Sequence, residues 1–555
     1  RRRWQRQLRR TMEESAVEAS DPQRTIALIG MMGVGKSTVG RALAAALGRD
    51  FVDLDALIEA EAGCNIRAIF ARDGEAGFRS REARSLVEAL STPGTVLACG
   101  GGVVVDAANR AALAAAATVV WLTAAPALLM RRLGDGSARP LAGDEASLRL
   151  LLRQRRDAYA TAADVAVDAG IGGADDVARR VVTALADLDA LTILAPGHDQ
   201  ANAGHDADDA DLWAGVGALD AALPAIVRRC SSRVAVVSDT NVWPLHADAV
   251  ASRLQAMGCV VERHTLPAGE ADKTLATWSR LVESICVGGA DRDLLIVAVG
   301  GGVVCDVTGF AAATALRGVR HVLMPTTLLA QVDAAIGGKT GVDTPAGKNL
   351  VGAFYPPIAV VADARWLHTL PPRERAAGLA EAVKTALVTT TPGLFAAIES
   401  SAAALRQGEA HATAALAARC AIAKRALVRT DPREHGPRRA LNFGHSLGHA
   451  LEREAGFGVL LHGEAVAVGM RWALDVGVAL GLTPVALRDR VVALLLALGL
   501  PVDAPPDVTT SSLLSALRHD KKANAAGLRF ILVADIGTPF ERSLTTTDLA
   551  EALGW

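Results

Sequence analysis

Downstream of Arg24, apolar and polar positions alternate in blocks. A short apolar run, Thr25 to Ile29, enters a glycine loop and then an alanine-rich stretch with helical spacing. Further apolar runs at Thr95 to Cys99 and Thr118 to Leu122 are separated by amphipathic segments. Strand, loop, helix and strand in that order predict a parallel α/β sheet. A second register of the same kind starts after residue 211, with strands expected at Val234 to Ser238, Cys259 to Glu262 and Leu294 to Val299. The last of these runs into Gly300, Gly301 and Gly302. Past Pro371 and Pro372 the strand signals fade into long alanine- and leucine-rich amphipathic segments, which predict a mostly helical part as far as Trp555.

Between these registers lies PGHDQANAGHDADDAD, poor in large apolar residues, and residues 191–211 are therefore read as a linker. The expected organisation is a basic extension at 1–21, an α/β domain at 22–190, the linker, a second α/β part at 212–370 and a helical part at 371–555. A chain of 555 residues exceeds the size at which single cores stop growing, roughly 250 to 300 residues, so several domains are required.

Composition narrows the function classes. With 58 Lys and Arg against 60 Asp and Glu the formal charge is -2, which gives no footprint for nucleic acid. Seven scattered Cys argue against a disulfide framework and fit a reducing cytoplasm, with Cys99 and Cys305 read as small packing residues beside glycines. No apolar run reaches the roughly 18 to 20 residues that span a bilayer. The start, RRRWQRQLRR, has no apolar core of the signal-peptide kind and is read as a solvated basic segment.

The first chemical motif is GMMGVGKST, Gly30 to Thr38, which matches G-x-x-x-x-G-K-[ST] between a strand and a helix. Gly33 and Gly35 let backbone N–H groups face phosphates, Lys36 can reach the β/γ-phosphates, and Ser37 and Thr38 open the helix, with Ser37 placed to ligate Mg²⁺. A nucleoside triphosphate with Mg²⁺ is the expected cofactor here, and the motif says no more about which one. FVDLD adds Asp53 and Asp55, GFR adds Arg79, CGGG adds Gly101 and Gly102, and SARPL adds Arg139.

In this order and spacing, residues 22 to about 190 resemble shikimate kinase. The resemblance implies that Asp55, Arg79, Gly101, Gly102 and Arg155 bind shikimate, with Arg79 and Arg155 forking onto its carboxylate. It also implies ATP as the nucleotide, Asp53 in the Mg²⁺ shell, Arg132 near adenine, Arg139 over the transferring phosphoryl group, and Asp55 orienting the attacking hydroxyl. Arg155 is chosen over Arg153 and Arg156 by its four-residue spacing to Tyr159.

The second constellation is NFGHSLGHALEREAGFGVLLHGEA, which gathers His445, His449 and His462 out of 12 His in the chain. A single His in an apolar segment is usually a hydrogen-bonded core residue. Three beside Gly, Asn and Glu suit a divalent transition metal, and GLAEAVK adds Glu381 and Lys384 upstream. The i, i+4 spacing of His445 and His449 taken alone would make those two a ligand pair. Val297 to Ala313 reads as a strand, three glycines and a helix, fit for a dinucleotide pyrophosphate. Arg317, Lys339, Lys348, Lys424, Arg438 and the lysines of the DKK at Asp520 to Lys522 add cations to the motif, with Asp333 and Asn349 among them, which suits a substrate bearing carboxylate and phosphate.

From about residue 212 onward the chain resembles 3-dehydroquinate synthase, so the whole resembles a kinase–synthase fusion. The resemblance implies Glu381, His445 and His462 as ligands of a divalent metal, Zn²⁺ or Co²⁺, with His449 either supporting the ligands from outside their set or acting in proton transfer. NAD⁺ contacts are implied at Asp239, Asn241, Glu270, Lys273, Gly301, Gly302, Asp306, Thr326, Thr327, Lys339, Lys348 and Thr369. Substrate contacts are implied at Arg317, Asp333, Lys339, Lys348, Asn349, Lys384, Lys424, Arg438, Asn442 and Lys521 or Lys522, and catalytic roles at Lys339, Lys384, Lys424, Arg438 and His449. Ser446 and Asp343 depart mildly from the family pattern, which commonly has Thr and Asn there. Small-molecule substrates, and a homodimer through the synthase part, are the expected partners, with no membrane or nucleic acid. A polyol dehydrogenase would share NAD and metal but needs no lysine cage, and a scaffold that has lost activity would not retain Lys36, Asp55, Arg79, Glu381, His445 and His462.

Overall fold

The computed structural model describes residues 24–133, 145–194, 210–230, 233–289, 291–456, 459–518, 523–524 and 527–555. In the first domain, β1 (Thr25–Ile29), β2 (Phe51–Asp53), β3 (Val96–Ala98), β4 (Ala117–Thr123) and β5 (Val165–Asp168) form a parallel sheet in the order β2-β3-β1-β4-β5. All five residues of β1 are buried, as expected for a parallel strand covered by helices on both faces. The chain passes from β1 to one side and returns to the other, so the loop after β1 opens at the switch point where ligands bind.

The second sheet takes β6 (Thr192–Leu194), β7 (Asp211–Gly215), β8 (Arg233–Asp239), β9 (Val260–Leu266), β10 (Leu295–Gly300), β11 (Arg320–Pro325) and β14 (Ala359–Asp363) in the order β6-β7-β14-β11-β10-β8-β9. Its switch point falls between β8 and β10. An antiparallel hairpin, β12 (Lys339–Thr344) with β13 (Gly347–Phe354), lies apart from it. The start of the expected linker is ordered: β6 pairs antiparallel with β7, Ile193 opposite Trp213. The rest, 195–209, and the basic extension lie outside the described residues.

The two α/β domains share one continuous apolar core in which Leu152 and Tyr159 of the first join Leu223, Val250 and Leu254 of the second. The Glu145–Ala162 helix packs on the Ala218–Arg228 helix. Polar groups close the seam: Arg156 Nη2 donates to Cys230 O at 2.9 Å and Arg228 Nη1 to Ala160 O at 2.7 Å. The kinase-like unit is thus fused to its neighbour by packing.

Beyond Pro371 the chain is mainly helical around a separate core. It also contains an antiparallel sheet that includes Gly527–Asp535 and Thr538–Leu544, strands that the expected mostly helical pattern does not place. The run from Phe530 to Val533 supplies strand formers, and the turn at Ile536 and Gly537, with Gly537 at φ 75°, closes the hairpin. No helix of the described residues is long and apolar enough to cross a membrane. The seven cysteines are free, and burial pushes the Cys99 thiol up to about 12, consistent with packing roles.

Candidate active sites

At the carboxyl edge of the first sheet, the glycine loop bends through Gly30, Gly33 and Gly35, all at positive φ. A side chain at Gly30 would place its Cβ 2.4 Å from Leu122 O. The loop delivers Lys36 as the first residue of the Lys36–Leu47 helix, and its Nζ donates to Gly30 O at 2.9 Å and Met31 O at 3.2 Å. Asp53 ends β2 and caps the next helix, accepting from Asp55 N at 3.2 Å. Arg132 bridges the loop to the sheet, donating to Val34 O and Ala169 O, each at 3.1 Å.

The residues read as acceptor-binding come together beside this loop. A Cβ at Gly100 would meet Asp55 and Glu82 at 2.8 Å, and one at Gly102 would meet the Arg79 guanidinium at 2.5 Å. Gly101 O accepts from Arg155 Nη1 at 2.9 Å and from the Tyr159 hydroxyl at 2.5 Å. Of the three neighbouring arginines weighed from sequence, Arg155 therefore faces the pocket, Arg153 is exposed, and Arg156 turns to the domain seam. Glu82, not singled out from sequence, is buried and pairs with Arg79 at 2.6 Å. Burial pushes its carboxyl up, against the pull of Arg79. Its three-residue spacing from Arg79 was the available signal. Arg139 lies outside the described residues.

In the second sheet, Asp239 ends β8 and accepts from Asn241 N at 2.8 Å. Gly301 caps the Gly302–Thr314 helix after β10, with Thr327 against it. Thr326 N donates back to Gly300 O at 2.9 Å. On that helix Asp306 pairs with the buried Lys273 at 2.6 Å, beside Glu270. Thr369 accepts or shares a proton with His246 at 2.7 Å. These positions line the switch point between β8 and β10, where a helix N-terminus and glycine backbone can meet a pyrophosphate.

Three helices build the adjoining centre. Glu381 and Lys384 share a face of the Pro372–Val388 helix, His445 and His449 sit in the first turns of His445–Ala455, and His462 opens His462–Ala479. Close backbone approach makes this possible. A Cβ on Gly463 would lie 1.9 Å from Ala377 O, so the third helix touches the first next to His462.

Glu381 Oε1 stands 3.7 Å from His445 Nε2 and 3.5 Å from His462 Nε2. Two donors at about 2.0–2.1 Å from a tetrahedral cation lie about 3.4 Å apart, so this spacing fits a zinc-like ion with little adjustment. Glu381 is fully buried and its Oε1 has no hydrogen-bond partner among the described residues. The Nδ1 of His445 donates to Phe443 O at 3.2 Å, which leaves Nε2 its lone pair. Ligand atoms of His445, His449 and His462 also lie within 4.8 Å of one another. The Glu381 set is the tighter one, and its carboxylate offsets a dication's charge, so His449, exposed at the rim, is the outer member.

Cations ring this centre. The Lys384 ammonium contacts Glu381 Oε2 and lies 3.6 Å from Asp333, which Lys424 meets at 2.5 Å. Arg438, 1% exposed, is fixed by Pro432 O and Gly337 O. Lys339 pairs with Glu434, which also accepts from Asn442 Nδ2 at 2.6 Å. Burial would raise the Glu381 carboxyl, but Lys384 and His462 outweigh it and hold Glu381 well below the usual range. Burial and Lys384 drive His445 well down. His462 resists burial through Glu381 and Glu452 and rises to about 9. Burial lowers Lys424 and Arg438.

Asn349, at φ 52°, is exposed near the hairpin end, where its N–H meets Asp343. Arg317 lies beyond the other end of the helix that Gly302 opens, about 20 Å along the axis from Gly302. Lys521 and Lys522 lie outside the described residues. Glu434 and Glu452 were missed because their partners Lys339 and Lys348 are distant in sequence.

The first domain matches the shikimate kinase family over residues 32–186. The rest matches the 3-dehydroquinate synthase N-terminal model over 263–377 and the C-terminal model over 378–523. A curated 3-dehydroquinate synthase of Geobacter metallireducens (strain ATCC 53774 / DSM 7210 / GS-15) is 47% identical over 304 residues, 55% of this chain and 84% of that protein. Among solved structures, a 2-deoxy-scyllo-inosose synthase complexed with carbaglucose-6-phosphate, NAD⁺ and Co²⁺ shares 30% identity, covering 62% of this chain and 96% of its own, with TM-score 0.57. The 2-epi-5-epi-valiolone synthase of Streptomyces hygroscopicus subsp. jinggangensis 5008, with NAD⁺ and Zn²⁺ bound, shares 29%, covering 64% of this chain and 98% of its own, with TM-score 0.57.

Proposed function

The chain belongs to the 3-dehydroquinate synthase family and carries a shikimate kinase domain ahead of it, and from that premise we propose how its residues run both reactions. The bifunctional enzyme phosphorylates shikimate and converts 3-deoxy-D-arabino-heptulosonate 7-phosphate to 3-dehydroquinate and phosphate.

In the kinase pocket the amides after Gly30 and the Lys36 ammonium hold the β/γ-phosphates of ATP, with Ser37 and Asp53 on the Mg²⁺ side. Arg79 and Arg155 fork onto the shikimate carboxylate, and Asp55 aligns the attacking hydroxyl and accepts its proton. Glu82 fixes the Arg79 guanidinium from behind.

In the synthase pocket, Glu381, His445 and His462 would hold a divalent cation, Zn²⁺ or Co²⁺, which supplies polarisation of the substrate oxygen that gains negative charge. Gly301 and Gly302 would hold NAD⁺, which would supply a hydride acceptor without net turnover to NADH. Lys384, Lys424, Arg438 and Lys339 hold the substrate's phosphate and carboxylate; burial keeps the first three aimed and dry, and the exposed Lys339 is aimed by its pair with Glu434. His449 at the rim is placed to move a proton to solvent. The synthase part is also the expected dimer surface, which light scattering would test.

The observation that carries this reading is the convergence of Glu381 Oε1 with both imidazole Nε2 atoms inside a ring of buried cations. Purified enzyme given each substrate in turn tests it. The expected results are ADP from shikimate and ATP, and phosphate with 3-dehydroquinate from the heptulosonate without accumulating NADH. Net NADH from a simple alcohol, with no phosphate release, would instead assign a dehydrogenase.

A further inference from the structure

The two imidazoles that face Glu381 are oriented by different means. His445 has its Nδ1 on a main-chain carbonyl, Phe443 O, which the backbone fixes. His462 has its Nδ1 3.4 Å from Glu452 Oε2, a side chain. Glu452 lies seven residues after His445, so His445, His449 and Glu452 occupy one face of the same helix and look toward His462 together. Its carboxylate is 5% exposed. The other oxygen, Oε1, accepts from Lys348 Nζ at 3.2 Å.

A buried carboxylate with one oxygen on a ligand imidazole and the other on a substrate-binding ammonium has no neighbour that packing alone would require. Such partners set the tautomer and ring orientation of a metal-bound histidine, and their loss typically costs about 10- to 100-fold in metal affinity. We propose that Glu452 is a positioning residue, which holds the His462 imidazole in its metal-ligating orientation and Lys348 in its substrate-binding one, tying the two sites through one carboxylate. The inference rests on the metal reading above and adds a residue to it.

Cobalt titration of the full-length chain, followed by calorimetry and by the visible absorption of bound Co²⁺, tests it. Glu452→Gln keeps the shape and removes the charge. It is expected to weaken Co²⁺ binding about 10- to 100-fold, to alter the absorption band, and to raise KM for the heptulosonate more than it lowers kcat at saturating metal. Lys348→Met is expected to raise that KM and leave Co²⁺ affinity unchanged. Glu452→Asp, which retains the charge, is expected to bind Co²⁺ more tightly than the glutamine variant.

A parent chain that takes up no Co²⁺ would overturn the metal reading itself. A parent that binds and a Glu452→Gln chain that binds equally, with the same spectrum, would overturn only the positioning role. So would a lowered melting temperature of the metal-free variant with affinity intact, which would assign Glu452 to the fold. Should the glutamine chain fail to fold, Glu452→Asp with circular dichroism like the parent's decides the matter, since parental affinity and spectrum there would contradict the proposal.

Discussion

At the loop from Gly30 to Gly35 the groups facing an anion are main-chain amides and one lysine, while around Glu381 they are side chains from segments far apart in sequence. The first arrangement needs only a strand, a tight turn and a helix start, so nine consecutive residues nearly define it. The second needs Lys384, Lys424 and Arg438 buried against the half-buried Asp333 and Glu434, and each burial is tolerable only because the others are present. Backbone recognition is thus local and cheap to build, whereas side-chain recognition is cooperative. Substitutions should consequently damage function at the first site and both function and fold at the second.

The largest contrast is expected at the two lysines. Lys36→Ala should lower shikimate phosphorylation by about 10³-fold or more, since charge on the transferring phosphoryl loses its closest cation, while phosphate release from the heptulosonate and the melting temperature stay at parental values. Assays of both rates on one preparation check this. Lys384→Met should abolish phosphate release and also cost about 3–5 kcal/mol of stability in denaturant unfolding, because the buried Glu381 loses its closest cation while Asp333 keeps only Lys424. Equal stability of the two variants would break the comparison.

Gly463→Ala carries no charge change yet pushes a methyl into Ala377 O. Overpacking of this kind costs about 1–3 kcal/mol, and moving the helix that His462 opens should weaken Co²⁺ binding with kinase activity unchanged. Arg156→Ala, at the seam, removes the charged hydrogen bond to Cys230 O. A loss of about 1–3 kcal/mol is expected, seen as a lower denaturant midpoint, with both specific activities nearly intact. Early, separate melting of the kinase domain in that variant would show how much the shared core relies on this contact.

The same distinction explains what could be read from sequence. The glycine loop, Lys36 and the switch-point glycines are contiguous motifs whose chemistry follows from spacing. His445 and His449 were legible as a helix pair, but the choice of Glu381 over His449 came from resemblance, and its distances to both imidazoles appear only in the fold. Glu82 offers only its three-residue spacing from Arg79, while Glu434 and Glu452 look like solvated loop or helix charges because their partners are distant in sequence; contact with Arg79, Lys339 and Lys348 gives the three meaning. The start of the linker turned into a strand because β7 offers it an edge, and the strands near Phe530 were hidden by the helical rhythm around them. The domain seam was not legible at all, since Leu152 and Leu254 are each ordinary amphipathic positions until the domains meet.

The most direct test of two chemically separate centres in one packed molecule is to strip the enzyme with a chelator, return Mg²⁺ alone, and follow ADP from shikimate and phosphate from the heptulosonate in parallel. ADP formation at the parental rate with phosphate release lost, and regained on adding Zn²⁺ or Co²⁺, is the predicted result. Phosphate release that persists in Mg²⁺ alone, or two rates that fall and recover together, would contradict it.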